Sequence, residues 1–447
     1  MRALEQLAAA APRLLSGVGV RGLEVAGKFG LFALAAHLLG PAPLGVFFLC
    51  LTVQSLVSTA GRLGVERPTA RHLAADLALA RTDLARRTLV QAIGLALLSG
   101  FACGLILYCA AEPLAGALRQ PTLSSPLQVT AFSLPFHLVT IVGGYVLIGL
   151  DRGGWGQFLM NALAPLLMLA ALASAAVAPN LGPLSWPMRD FATFELLLWS
   201  LVGAQVVAAA WTLLVVGARW RTVSVTTPAT AIEAAANDPL PPLAKAARSY
   251  YPVELMGAVL ASLPGLALAP HVSAAVLGGF SVSLRLAMLT SNVVTSLGYM
   301  VSGRIAAAHR RGAFTEVWED LQQVRRSALG LCLPPILFLL LAPGLTLRLL
   351  NADMPEARIS LQIMALAQFA VVFCAGRDVL LGMTGHGRTL TQLSLVQLCI
   401  CLLGAVIVIP TTGAPGAALT TAAAWAAAAL GQQVLARRRV PEVFADP

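Results

Sequence analysis

The chain is a succession of apolar runs of about twenty residues or more, broken by short polar stretches, and this pattern limits what it can fold into. Crossing the hydrocarbon core of a bilayer takes roughly 20 apolar residues as a helix. Backbone inside lipid must satisfy its own hydrogen bonds, so repeated runs of this length read as membrane helices. We read twelve spans: 14–39, 44–63, 89–111, 127–150, 158–178, 194–216, 250–269, 274–301, 328–350, 359–381, 390–409 and 417–435. Composition agrees: 58% of the residues are hydrophobic and 11% charged, against roughly 45–50% and about 25% in soluble domains. The expected fold class is all-α, a polytopic membrane protein of about twelve transmembrane helices.

The basic residues orient these spans. Of the 30 Lys and Arg, 22 lie at the N-terminus or at and beyond the inner ends of even-numbered spans. Arg119, Arg189, Arg348 and Arg358 lie in the other loops, and Arg21, Lys28, Arg285 and Arg377 lie within spans. The asymmetry follows the positive-inside rule and puts both termini in the cytoplasm. The net charge of +10 is thereby a topology signal, and with no nucleic-acid motif present, no nucleic-acid partner is expected.

The longest polar break, ARWRTVSVTTPATAIEAAANDPLPPLAKAARS, has the Pro, Thr and Ala content of a linker. It divides the chain into an N-lobe at 1–217 (spans 1–6), a cytoplasmic linker at 218–249 and a C-lobe at 250–447 (spans 7–12). A shift of 233 residues aligns Leu44-Gly45-x-Phe47 with Leu277-Gly278-x-Phe280. It also aligns Gly143, Leu147, Gly149 and Gly154 with Gly376, Leu380, Gly382 and Gly387. Six spans per half make this a parallel repeat, two lobes related by a pseudo-two-fold along the membrane normal. Two inner breaks, TARHLAADLALARTDLARR and RIAAAHRRGAFTEVWEDLQQVRR, are each long enough for an amphipathic helix at the anionic inner leaflet. A plain solvated elbow fits them equally well.

Within the first span, SGVGVRGLEVAGKFG matches the glycine spacing of a dinucleotide loop. That loop needs a strand before it and a βαβ unit around it, and the flanks here are apolar and helical. The glycines instead suit close helix packing. The charges of the same stretch matter more. Arg21, Glu24 and Lys28 share one helix face, within about a 60° arc. Each would cost about 2.5–3.5 kcal/mol at the centre of a lipid-facing helix. The face therefore braces a partner helix, or it lines an ion or substrate path.

Arg285 lies near the middle of span eight, Arg377-Asp378 near the inner end of span ten, and Glu254 at the start of span seven. Four cations, Arg21, Lys28, Arg285 and Arg377, are candidates for binding an anion, above all a diphosphate, to which arginine offers forked donors. Glu24, Glu254 and Asp378 are candidates for coupling to an H⁺ or Na⁺ gradient. An all-structural account pairs Arg21 with Glu254 and Arg377 with Asp378. His137, Asn161, Gln205 and Asn292 each read as satisfied packing residues. Pro252 and Pro264 predict a kink in span seven, and broken helices mark transporter sites.

The seven cysteines all lie in apolar runs without metal or disulfide spacing and read as small buried hydrophobes. No cofactor and no metal site is expected. The N-terminal MRALEQLAAAAPRLL has Glu5 and Gln6 where a signal peptide needs its apolar core, so no cleaved leader is expected. No paired carboxylates, nucleophile–base set or metal motif stands out, and the longest external break, 179–193, carries only Arg189 and Asp190.

From span eight, VLGGFSVSLRLAMLTSNVVTSLGYMVSGRIAAAHRRGAF resembles a "vG.Y..a.rl..l" helix running into a basic elbow. VLLGMTGHGRTLTQL resembles an "L...G+.r" turn, IPTTGAPGAALTTAAA a "G..GAAlat" entry, and AAHLLGPAPLGVFFL an "la..LGp..fG.f" entry. Together these resemble, in order, the polysaccharide-exporter branch of the multidrug/oligosaccharidyl-lipid/polysaccharide flippase superfamily. Phe280 stands where that branch usually has Tyr, and Ser302 near a common Pro. The resemblance implies a two-lobed bundle that opens alternately to each side of a bacterial inner membrane, flipping an isoprenoid-diphosphate-linked oligosaccharide to the periplasmic leaflet. It also implies polysaccharide assembly proteins as partners and no enzymatic activity. Two alternatives stand beside it: a multidrug or organic-cation antiporter of the same superfamily, and an integral-membrane sugar polymerase or ligase.

Overall fold

A computed structural model describes residues 17–79, 81–177, 186–221 and 242–444. Among them are eighteen α-helical segments and no strand. The first half carries α1 (Gly17–Leu39), α2 (Pro41–Gly61), α3 (Glu66–Ala78), α4 (Thr82–Ala117), α5 (Ser124–Ala131) and α6 (Leu134–Gly149). It continues with α7 (Gly153–Phe158), α8 (Ala164–Val177) and α9 (Trp186–Arg221). The second half carries α10 (Leu243–Leu268), α11 (Ala274–Arg311), α12 (Phe314–Leu341), α13 (Pro343–Leu349) and α14 (Pro355–Phe373). It ends with α15 (Arg377–Met383), α16 (Gly387–Leu403), α17 (Ile409–Thr412) and α18 (Ala414–Arg439).

Each expected span falls on helix. Ten of the helices are long and apolar enough to cross a membrane, and an eleventh counts if α5 and α6, bent by 53°, form one span. The bend falls at Phe132 and Ser133, just before Pro135, and Gln54 donates to the Ser133 hydroxyl there at 2.7 Å. The twelfth expected span coincides with α18, whose Ala, Thr and Gln content leaves it outside those ten. Helix α4 shows how the faces sort. Its buried stripe is small, with Ala92, Ala96, Gly100 and Gly104, and at Gly100 and Gly104 it lies against the backbone of residues 131–135. Val90, Leu98, Phe101, Leu105 and Ile106 point outward. This apolar-out, small-in order is that of a lipid-facing helix.

The chain falls into two compact units. One comprises Met1–Leu39 and Leu49–Ala258, the other Gly40–Phe48 and Val259–Pro447. Two helices therefore change unit along their length: α2, whose first turns belong to the second unit, and α10, whose last turns do. Inside the second unit the two Leu-Gly-x-Phe motifs meet. A Cβ built on Gly45 would collide with the Ala274 carbonyl, and one built on Gly278 with the Pro41 carbonyl. Both pairs are related by the same 233-residue shift, and the contact is reciprocal, as at a two-fold axis. Only glycine allows the backbones this close. The second aligned stretch agrees at its end: Gly149 closes α6, and Gly382 stands next to last in α15. It differs upstream, where Gly143 is inside α6 and Gly376, at φ +81°, lies in the break before α15.

The two inner breaks fold differently. The first inner break does form its own helix, α3. The second does not: α11 runs on to Arg311, stops at left-handed Gly312 (φ 73°), and α12 starts at Phe314. A glycine in that conformation ends the helix by turning its last carbonyls back on the chain. Arg304–Asp320 and Arg311–Glu316, each at 2.8 Å, tie the two extensions together. At the flanks of the expected linker 218–249, α9 reaches Arg221 and α10 begins at Leu243. Residues 222–241, the N-terminal MRALEQLAAAAPRLL and the Arg21 side chain lie outside what is described.

Candidate functional site

In the first unit, Lys28 Nζ donates to Glu24 Oε1 at 2.8 Å, one helical turn apart on α1. Glu24 is 8% exposed. His137 of α6 hydrogen-bonds Gln205 of α9, pairing two residues that the sequence presents separately. Asn161 of the first unit donates back to Gln157, as a packing residue would.

Glu254 belongs to a different group. It accepts from Arg67 Nε at 2.9 Å; the Arg21 of the all-structural account has its side chain outside those described. Beside it, Arg62 forks between Glu66 Oε1 at 2.7 Å and Thr59 Oγ1 at 2.6 Å. Burial pushes the Glu66 carboxyl above its ordinary value, and the Arg62 charge opposes that rise. These arginines count in the sequence only as inner-loop charge. The signal that could have found the pair is the four-residue spacing of Arg62 and Glu66 across the helix end.

In the second unit, Arg285 lies near the middle of the apolar window Ala274–Gly298 of α11. Its guanidinium carbon sits 4.3 Å from the centre of the Phe48 ring, which is itself fully buried. A cation over an aromatic face gains about 0.5–2 kcal/mol.

Arg377 is 2% exposed and lies elsewhere. Its Nε donates to Gln433 Oε1 of α18 at 2.7 Å, and the rings of Phe444 and Trp318 lie 5.2 and 5.7 Å from its guanidinium carbon. Its Nη1 is buried with no hydrogen-bond partner among the described residues. An orphaned donor of this kind costs about 1–3 kcal/mol, more when charged. Asp378 is not its partner: that carboxylate accepts backbone N–H groups of Asp378 and Val379 at the start of α15. Gly298 of α11 lies against Val379. Arg285 is thirteen residues earlier on that helix, about 20 Å along its axis at 1.5 Å per residue. The structure thus separates Arg285 and Arg377, which the sequence grouped as contacts for one anion.

No family model and no curated protein matches the chain. Solved structures do. The inward-facing conformation of a multidrug resistance MATE family transporter of the MOP superfamily matches with a TM-score of 0.70 at 14% identity, over 95% of each chain. An outward-facing conformation of such a transporter matches at TM-score 0.61 and 16% identity, over 97% of this chain and 99% of that one. The lipid II flippase MurJ, in an inward closed conformation, matches at TM-score 0.66 and 11% identity, over 96% and 89%. The chain has the fold these transporters share. Helices running the length of both chains carry the match, so the likeness is to the whole architecture.

Proposed function

We propose that this protein is a multi-pass membrane transporter of the flippase type, working by alternating access. Its substrate would be an isoprenoid-diphosphate-linked oligosaccharide, carried from the cytoplasmic to the periplasmic leaflet of a bacterial inner membrane for polysaccharide biosynthesis. The observation that carries this reading is Arg285, a guanidinium held at mid-span against the Phe48 ring. A diphosphate supplies charge and paired acceptors that match a guanidinium fork. The fold shared with a lipid II flippase supports a lipid-linked cargo. Lys28 and Arg21, of the first unit, stay candidates for binding an anion as expectations of the sequence. Glu24, buried and ion-paired with Lys28, is a candidate for H⁺ or Na⁺ coupling. Glu254 and Asp378 stay candidates for the same role as expectations of the sequence.

A second reading, a multidrug or organic-cation antiporter, is favoured by buried Glu24 and by the fold shared with multidrug transporters. The sugar polymerase or ligase reading draws on no comparable observation. The test is a proteoliposome assay with a fluorescent isoprenoid-diphosphate sugar and a membrane-impermeant quencher, under imposed H⁺ and Na⁺ gradients. We expect protein-dependent loss of protected signal that Arg285→Ala weakens. Uptake of a fluorescent organic cation that needs Glu24, with no movement of the lipid-linked sugar, would favour the antiporter.

A further inference from the structure

The Arg377 region does not depend on the transport reading, and its chemistry points elsewhere. Three arginines from three helices converge on the break between α14 and α15. Arg377 follows the break. Arg325 of α12 stacks at 4.2 Å over Phe373, the last residue of α14. Arg437 stands one turn beyond Gln433, the acceptor for Arg377, on the same face of α18. Both are near enough for their charges to act on Arg377. No carboxylate pairs with Arg377 among the described residues, and its buried Nη1 has no acceptor.

Like charges gathered around an orphaned donor are unfavourable unless an anion joins them. We propose that this end of the second unit is a binding site for a phosphate group, with Arg377 as the buried anchor and Phe444 as its lid. A phosphate offers tetrahedral acceptors to several guanidinium donors at once. Phe373, adjacent to Arg325, is 52% exposed and provides an apolar flank. That suits a lipid whose headgroup carries the phosphate, although free phosphate has the same binding chemistry.

Access runs past the chain's last described turn. Val443 is buried, and Phe444 packs edge-on to Trp318 at 5.6 Å while covering Arg377. With the turn down, Nη1 is sealed, so the phosphate must wait for Phe444 to lift. The observed affinity is then reduced by the fraction of time the lid is closed. This gives a signature that a purely structural arginine lacks: removing the lid lowers stability but tightens binding.

The test uses the purified full-length chain in neutral detergent, following thermal unfolding and native mass spectrometry. The probes are micelles doped with phosphatidylglycerol, micelles doped with phosphatidylcholine, and sodium phosphate against sodium chloride at equal ionic strength. We expect phosphatidylglycerol or phosphate to raise the wild-type unfolding temperature. Arg377→Gln should abolish that rise, and Arg437→Gln, an exposed change that spares the core, should weaken apparent affinity about tenfold. Arg310→Gln, an exposed elbow change, should leave it intact. Phe444→Ala should melt lower and bind more tightly. A phosphatidylglycerol response with phosphate silent names the lipid headgroup as the source; a response to phosphate alone names the free ion. No response to either, equal responses in wild type and Arg437→Gln, or no tightening in Phe444→Ala would overturn the proposal.

Discussion

Arg285 and Arg377 are arginines of the same unit, drawn out of water by different surroundings. Arg285 lies against an aromatic ring on a helix long enough to span the bilayer. Arg377 lies at a helix break, tied to a glutamine and covered by two rings, one of them from the end of the chain. The difference teaches that an arginine within an apolar run is not yet a role. A mid-span guanidinium sits in the stretch that crosses the bilayer, whereas one at a break can anchor the chain around it. Its neighbours, not its depth in the sequence, decide what it can bind.

The comparison predicts opposite splits between transport and stability. The largest effect should be on flipping: Arg285→Ala lowers the initial rate at least about tenfold, the loss of one charge-assisted contact, while membrane abundance and melting temperature stay near wild type. If Arg285→Ala instead melts much lower and the surviving protein flips normally, the two arginines are alike and the contrast fails. Arg377→Ala should show the reverse, losing about 2–4 kcal/mol of stability through a cavity and an unsatisfied Gln433, read as thermal unfolding in detergent. Replacement by Met, which fills the space without the charge, should recover part of that loss. Gly278→Ala tests the frame that holds Arg285 and should cost about 1–3 kcal/mol by forcing the backbones at Pro41 apart.

The smallest effect is expected at Asp353, the outer-loop acid between α13 and α14. Arg358 first, and then Arg348, hold its carboxyl down to about 2, with contacts of 2.6 and 2.9 Å. A lowered folded value means that its contribution is fully present above the ordinary value of 3.8 and is lost as pH falls through about 2. Wild type and Asp353→Asn should therefore differ by a small, constant amount in unfolding temperature near neutral pH. They should converge only as the solution is acidified below about pH 4. Convergence already at pH 6 would show that the staple contributes nothing of this kind.

Much of the architecture was legible because lipid imposes a simple rule: a run of about 20 apolar residues becomes a helix. The expected spans accordingly fall on α1 to α18, and Leu44-Gly45-x-Phe47 and its repeat mark a real backbone contact. Periodicity said less about where helices stop. The Gly312 turn merged an expected surface helix into two long spans, and the α14–α15 break set Arg377 apart from the bilayer-spanning stretch.

Partners were the least legible feature. Lys28 and Glu24 lie one turn apart on one helix, so their pair follows from spacing alone. Glu254 forms an ion pair with Arg67, 187 positions away in sequence, which no local spacing announces. Arg377 stands next to Asp378 in the chain, yet it bonds Gln433 while Asp378 turns to its own backbone. The sequence by itself determined that this is a helical membrane protein and the order of its spans, because burial in lipid acts on local composition. Which charges meet, and that Arg377 keeps a buried donor unfilled among the described residues, only the tertiary structure decided, because side-chain pairing depends on helices that the chain brings together from far apart.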